Sequence, residues 1–113
     1  MVPTAIDVVE YVTASGRSPF GVWFGRLDPG AAARVTVALA RMEQGNLSDT
    51  KSVGGGVFER RIDFGPGYRV YFGRDGRQLV ILLAGGTKQR QQTDIGEAKA
   101  RWQEYRTRKR AEG

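Results

Sequence analysis

The chain has 113 residues, with 18 Lys and Arg against 12 Asp and Glu for a net charge of +6, and it contains neither His nor Cys. That length suits one compact domain, and the missing residue types exclude a Ser-His-Asp triad, a Cys-His pair, a His-based acid/base couple, a His/Cys zinc site and a disulfide. Arg supplies 14 of the basic residues; residues 1–50 carry four basic and five acidic groups, and residues 51–113 carry 14 and seven, so a phosphate-bearing partner is expected on the second half.

Ala5 to Val12, with Ile6, Val8, Val9, Tyr11 and Val12, reads as a first strand that Ser15-Gly16 break. Ser18-Pro19 has the form of an N-cap followed by proline at the first helical position, and Phe20, Trp23, Phe24 and Leu27 follow at helical spacing. Asp28-Pro29 repeats the signal. Ala31, Val35, Ala38, Leu39 and Met42 then mark one face of a longer helix, which Gly45-Asn46 should end. Two helices in series after a strand suggest a helical hairpin.

From Lys51 the period changes to two. Gly54-Gly55-Gly56 is a turn, and Val57 to Phe64 reads as a strand with Phe58, Ile62 and Phe64 on one face and Val57, Glu59, Arg61 and Asp63 on the other. After Gly65-Pro66-Gly67, Tyr68 to Phe72 places Tyr68, Val70 and Phe72 on one side and Arg69 and Tyr71 on the other. Gly73 to Gly76 form a tight turn, with Asp75-Gly76 as a hairpin signal. Gln78 to Ala84 is apolar on both faces, as a central strand should be, and Gly85-Gly86 are expected to end it. A last helix runs from about Gln91 to Arg108 with Ile95, Ala98, Trp102 and Tyr105 on one stripe. Trp102 reads first as a core anchor and second as a base-stacking platform. The terminal Arg101, Arg106, Arg108, Lys109 and Arg110 either complement the helix dipole or bind an anion.

No stretch reaches the roughly 18 apolar residues of a membrane span, and no positively charged segment with an apolar core opens the chain. A protein without membrane association or secretory signal is the expectation; the absence of Cys fits a reducing cytosol, and metal sites built on carboxylates remain open.

Strand parity brings the chemistry together. With the apolar sides on the helices, Glu59, Arg61, Arg69 and Tyr71 should project from the opposite, open face, with Lys51 and Lys88 bordering it. Such a patch suits a phosphodiester backbone, and Tyr71 could stack on a base or donate a proton. Ordinary cross-strand Glu-Arg pairing on a wet sheet face is the competing reading.

The order β-α-α-β-β-β-α, the stretch Lys51-Ser-Val-Gly-Gly-Gly-Val-Phe-Glu-Arg-Arg-Ile62, then Gly65-Pro-Gly-Tyr-Arg-Val-Tyr-Phe72 and Leu82-Leu-Ala-Gly-Gly-Thr-Lys88 with Asp94-Ile95 resemble the RelE/ParE toxin superfamily, and more narrowly its HigB-like addiction module killer branch. The resemblance covers nearly the whole chain. It implies an α+β domain over residues 1–113, with a helical hairpin and C-terminal helix on a mostly antiparallel sheet. It further implies a cytoplasmic toxin that needs no cofactor or metal, cuts mRNA on the ribosome and is held by a small helix-turn-helix antitoxin. In such enzymes the ribose 2′-OH attacks the adjacent phosphate and the 5′-oxygen leaves, which requires a base, an acid and positive charge at the phosphorus. Carried over, Arg69 is the phosphate-stabilising residue, Arg61 and Lys88 supply further charge, Glu59 or a lysine acts as base, and Tyr71 stacks or donates a proton. Lys51, Arg60, Arg90 and Gln92 are the substrate-binding candidates. Where related enzymes carry a catalytic Tyr or a His near the C-terminus, this chain reads Gln91-Gln-Thr-Asp94, so Gln92 and Asp94 are also candidate caps for the last helix. The alternatives are a ParE-like gyrase-blocking toxin and a relative that only binds its antitoxin.

Overall fold

Ser18 and Asp28 start their helices as their sequence signals require. In the computed structural model, which describes residues 5–113, the Ser18 hydroxyl accepts the Gly21 N–H at 3.0 Å and the Asp28 carboxylate accepts the Ala31 N–H at 2.9 Å. Each satisfies an amide that the first helical turn leaves free. The helices are α1 (Pro19–Gly25) and α2 (Pro29–Glu43). Beyond α2, Gly45 adopts a left-handed φ of 89°. Its N–H reaches the Met42 carbonyl while that of Asn46 reaches Arg41, a Schellman ending. Residues 1–4 of the expected domain lie outside the described part.

The strands are β1 (Asp7–Glu10), β2 (Thr50–Gly54), β3 (Val57–Ile62), β4 (Tyr68–Arg74) and β5 (Leu79–Thr87). A single 3-10 turn (Lys88–Arg90) leads into α3 (Gln91–Glu112). The sheet order is β1-β5-β4-β3-β2; β1 runs parallel to β5 and the other pairs are antiparallel. This is the mixed α+β architecture that the resemblance implied.

Both faces of the sheet are covered. On one, Phe20, Val35, Ala38 and Met42 of the hairpin bury Ile62, Val70, Phe72, Val80 and Leu82. On the other, Ala98 and Trp102 of α3 bury Val57, Tyr71, Ile81 and Leu83. Each buried Val, Leu, Ile, Phe or Met among them contributes on the order of 1.5–3 kcal/mol of transfer free energy. Two tryptophans dock where the sheet carries no side chain: a Cβ on Gly85 would collide with the Trp23 ring, and one on Gly73 with Trp102.

Four expectations need correction. Thr50–Gly54 forms an additional edge strand paired with β3; its polar residues gave it no apolar alternation. Gly85-Gly86 do not end β5, and Gly73 belongs to β4; these glycines make room for the rings and for Asp94 rather than turning the chain. The α3 N-terminus has no side-chain cap, so neither Gln92 nor Asp94 fills that role. Finally, the face bearing Glu59, Arg69 and Tyr71 is not open: α3 lies across it, and the three residues are 0%, 5% and 0% exposed.

Candidate functional site

Alternation in β3 and β4 turns Glu59, Arg61, Arg69 and Tyr71 to the α3 side, and the strand register aligns them in two cross-strand rows. Lys51 pairs with Glu59 and Glu59 with Tyr71; in the next row Arg61 pairs with Arg69 and Arg69 with Gly86. The ladder shifts between Tyr71 and Phe72, opposite Ala84 and Leu82. Leu83 and Ala84 therefore both join the α3-side cluster. Bulges of this kind are common beside functional sites because they re-aim side chains.

Glu59 is the hub. Its Oε2 accepts a hydrogen bond from Gln91 Nε2 at 2.8 Å and lies 3.6 Å from Arg69 Nε, while Oε1 lies 3.8 Å from Lys51 Nζ. The carboxylate thus accepts one amide hydrogen bond and lies within ion-pair range of two cations, while Oε1 and Arg69 Nε have no hydrogen-bond partner among the described residues. Arg69 also donates from Nη1 to the Gly67 carbonyl at 3.3 Å, and the same oxygen accepts the Lys88 backbone N–H at 3.0 Å. Gly67 sits at a φ of 80°, a conformation that strongly favours glycine. It ties the end of β5 to the start of β4 and places Lys88 beside Arg69.

Beside this cluster opens a cleft of about 590 Å³, lined by Lys51, Arg61 and Arg69 together with Asp49 and Asp63. Arg61 is exposed. Arg69 forms part of the wall even though most of it is buried. The cleft therefore brings a buried guanidinium, an exposed one and an ammonium together, with two carboxylates in the same lining.

Tyr71 and Asp94 are buried beside this cluster. Tyr71 Oη has no hydrogen-bond partner; burial first, and then the neighbouring Glu59 carboxylate, raise its phenol above the usual value. It stays neutral and, in this conformation, offers no ring face to a base. Asp94 packs against Gly86, where any Cβ would collide with its carboxylate. Burial raises its pKa, offset in part by Arg90, whose Nε is 4.0 Å away.

Of the candidates named from sequence, Lys51, Glu59, Arg61, Arg69 and Tyr71 come together, with Lys88 at the same corner. Arg60 does not. It lies on the hairpin side, 3% exposed, and donates to the Ser48 carbonyl. Arg90 projects from the 3-10 turn and pairs with Asp94 and Glu97, lining a different cleft between α1 and α3. Gln92 is exposed on the first turn of α3. Sequence reasoning missed Gln91, which reaches the buried carboxylate; its position just after the last strand was the available signal. Among the described residues no group of acidic side chains is arranged to hold a metal ion, and no helix is long and apolar enough to cross a membrane.

Residues 22–103 match the family model described as phage derived protein Gp49-like (DUF891), a toxin-like family related to the RelE/HigB type. A Haemophilus influenzae protein, named only as an uncharacterized protein, is 45% identical over 86 residues, covering 75% of this chain and 87% of its own length. No solved structure matches. The matched span runs from α1 through Trp102 and includes every member of the Glu59–Arg69 cluster, so the chain belongs to the Gp49-like family of phage-derived proteins.

Proposed function

We propose that the protein is the toxin of a type II toxin-antitoxin pair and a metal-independent endonuclease of mRNA on the ribosome. The observation that carries this reading is Arg69, fixed by the buried Glu59 in the wall of a cleft that Arg61 and Lys51 also line. In the reaction a bond forms between the 2′-oxygen and phosphorus as the bond to the 5′-oxygen breaks, leaving a 2′,3′-cyclic phosphate and a 5′-hydroxyl; one proton leaves the 2′-OH and one reaches the departing oxygen. Negative charge accumulates on the phosphoryl oxygens in between. A guanidinium already desolvated and oriented stabilises that charge with little reorganisation, which is where electrostatic catalysis is strongest. Arg61, Lys51 and Lys88 add charge around it. Glu59 is sealed beneath the first turn of α3 and holds Arg69 in place. The partner of the free toxin is a small antitoxin, consistent with the toxin-like family.

The test is a translating extract in which mRNA ends are mapped. Ribosome-dependent cuts are expected, reduced about 10²- to 10³-fold by Arg69→Ala, the cost of removing one transition-state donor. Arg61→Ala, at an exposed position that leaves the core untouched, should also reduce them. Intact mRNA together with inhibited DNA supercoiling would overturn the reading in favour of a gyrase-blocking toxin.

A further inference from the structure

The Arg69 cleft carries little excess charge for a surface that must hold a polyanion, since Asp49 and Asp63 line it with its three cations and Glu59 pairs with Arg69. The excess positive charge lies elsewhere. At the far end of β4, the turn leading into β5 faces the last turns of α3 across a second cleft of about 790 Å³. Arg74 and Arg77 line it from the strand side, and Arg106 and Arg110 from the helix. Among the described residues Asp75 is the only carboxylate in its wall, and it is already engaged by Lys109 and by the Tyr105 hydroxyl at 2.7 Å. None of the four arginines has an acidic partner among the described residues; Arg74 donates only to the Arg77 carbonyl, at 3.3 Å.

Complementing the helix dipole accounts for cations at the end of α3. It does not account for Arg74 and Arg77, which arrive from another element. Four guanidiniums brought around one cavity repel each other, and a bound anion offsets that cost. The cavity also has an aromatic wall. Tyr105 stacks on Trp102 with ring centroids 5.3 Å apart and planes 8° apart. Trp102 is buried against Gly73, whereas Tyr105 remains partly exposed. One face of the tyrosine ring lies toward Trp102, and the partly exposed ring lines the cleft beside the arginines.

We propose that this cleft is a second nucleic-acid site, which takes an unpaired nucleotide of an RNA strand with its base against Tyr105 and its flanking phosphates on the four arginines. Guanidinium forks match phosphate oxygens in pairs, and a base stacks on an aromatic ring whatever its sequence. An acidic peptide would satisfy the arginines but has no use for the flat ring. The inference stands on this cleft alone: it concerns where the strand is held, whether or not the Arg69 cleft cuts it.

The experiment measures binding of a fluorescent ten-nucleotide oligoadenylate RNA to the full chain by anisotropy, in a Lys51→Ala/Arg61→Ala background that silences the first cleft. Arg106→Ala/Arg110→Ala, both on exposed helical positions, should weaken binding at least tenfold and lower the slope of log affinity against log salt by about 1.4, the loss of two single-strand phosphate contacts. Tyr105→Leu should weaken binding about tenfold while Tyr105→Phe retains it, because stacking needs the ring and not the hydroxyl. Unchanged binding in the arginine variant overturns the site. A silent Tyr105→Leu, with decaglutamate displacing the RNA at equal concentration, overturns the RNA assignment and marks an acidic-peptide site. Arginine-dependent binding by a chain that cuts no mRNA supports this site and counts only against the endonuclease reading.

Discussion

Replacing Glu59 by glutamine tests whether the cluster is held as the geometry implies. The substitution keeps the side-chain volume and one acceptor oxygen, so the cavity and strand pairing are preserved and the main change is the loss of a charge. Arg69, 5% exposed, then keeps its guanidinium in a low-dielectric site without its carboxylate. Removing one partner from a buried pair costs about 3–5 kcal/mol. The amide oxygen of glutamine restores a hydrogen bond worth about 1 kcal/mol, and Lys51, 57% exposed, adds no more than about 1 kcal/mol. The expected net loss is about 3 kcal/mol. With a urea m-value of about 1.5 kcal/mol/M, the unfolding midpoint should fall by about 2 M. A second variant, Glu59→Gln with Arg69→Met, should recover much of that loss, because no buried charge remains to be compensated. A midpoint shift of less than about 0.5 M in the single variant would refute the reasoning, since Arg69 would then be solvated and Glu59 would not be its anchor.

Four further outcomes follow from the packing and the charges. Asp94 has a folded pKa raised by burial, so the folded state binds the extra proton between the unfolded and folded values, and its contribution to stability declines as pH rises through that window. Asp94→Asn should therefore raise the Tm at pH 7 and leave it nearly unchanged at pH 3, read by thermal denaturation at both pH values; equal shifts would contradict burial as the dominant cause. Gly73→Ala should lose at least about 1–3 kcal/mol, because the Trp102 ring occupies the space of the new methyl. Gly96→Ala, in α3 with no neighbour near its Cβ, should gain up to about 1 kcal/mol from helix propensity, and chemical denaturation of the two separates close packing from backbone entropy. Asp28→Ala should cost about 1 kcal/mol in the same assay by freeing the Ala31 amide.

The candidate site was legible in its members but not in its setting. Period-two alternation in Val57–Phe64 and Tyr68–Phe72 correctly assigned Glu59, Arg61, Arg69 and Tyr71 to one side of the sheet. Alternation says which side a residue takes, and nothing about what lies over that side. The narrow stripe of Ala98 and Trp102 was visible, yet only its docking on β4 and β5 closes the face over Glu59 and Tyr71. That limit did not apply to Arg60: its parity already put it with Phe58 and Ile62, on the hairpin side and away from the cluster.

Local chemistry acts over a few residues, and the amino-acid sequence by itself determined the features built that way. Ser18-Pro19 and Asp28-Pro29 started two helices, Gly45-Asn46 ended one, and the apolar run from Leu79 marked a strand covered on both faces. Missing His and Cys restricted the chemistry to Lys, Arg, Tyr and carboxylates. Tertiary structure alone decided what depends on contacts between distant segments. Gly73, Gly85 and Gly86 proved to be docking surfaces for Trp102, Trp23 and Asp94 instead of turns, and polar Thr50–Gly54 became a strand because β3 offered it an edge. The excess of positive charge in the second half was plain from composition. Its division between a nearly balanced cleft at Arg69 and an arginine-rich one at Tyr105 arose only when β4 placed Arg69 and Arg74 at opposite ends of one strand and α3 brought Arg106 and Arg110 to the second.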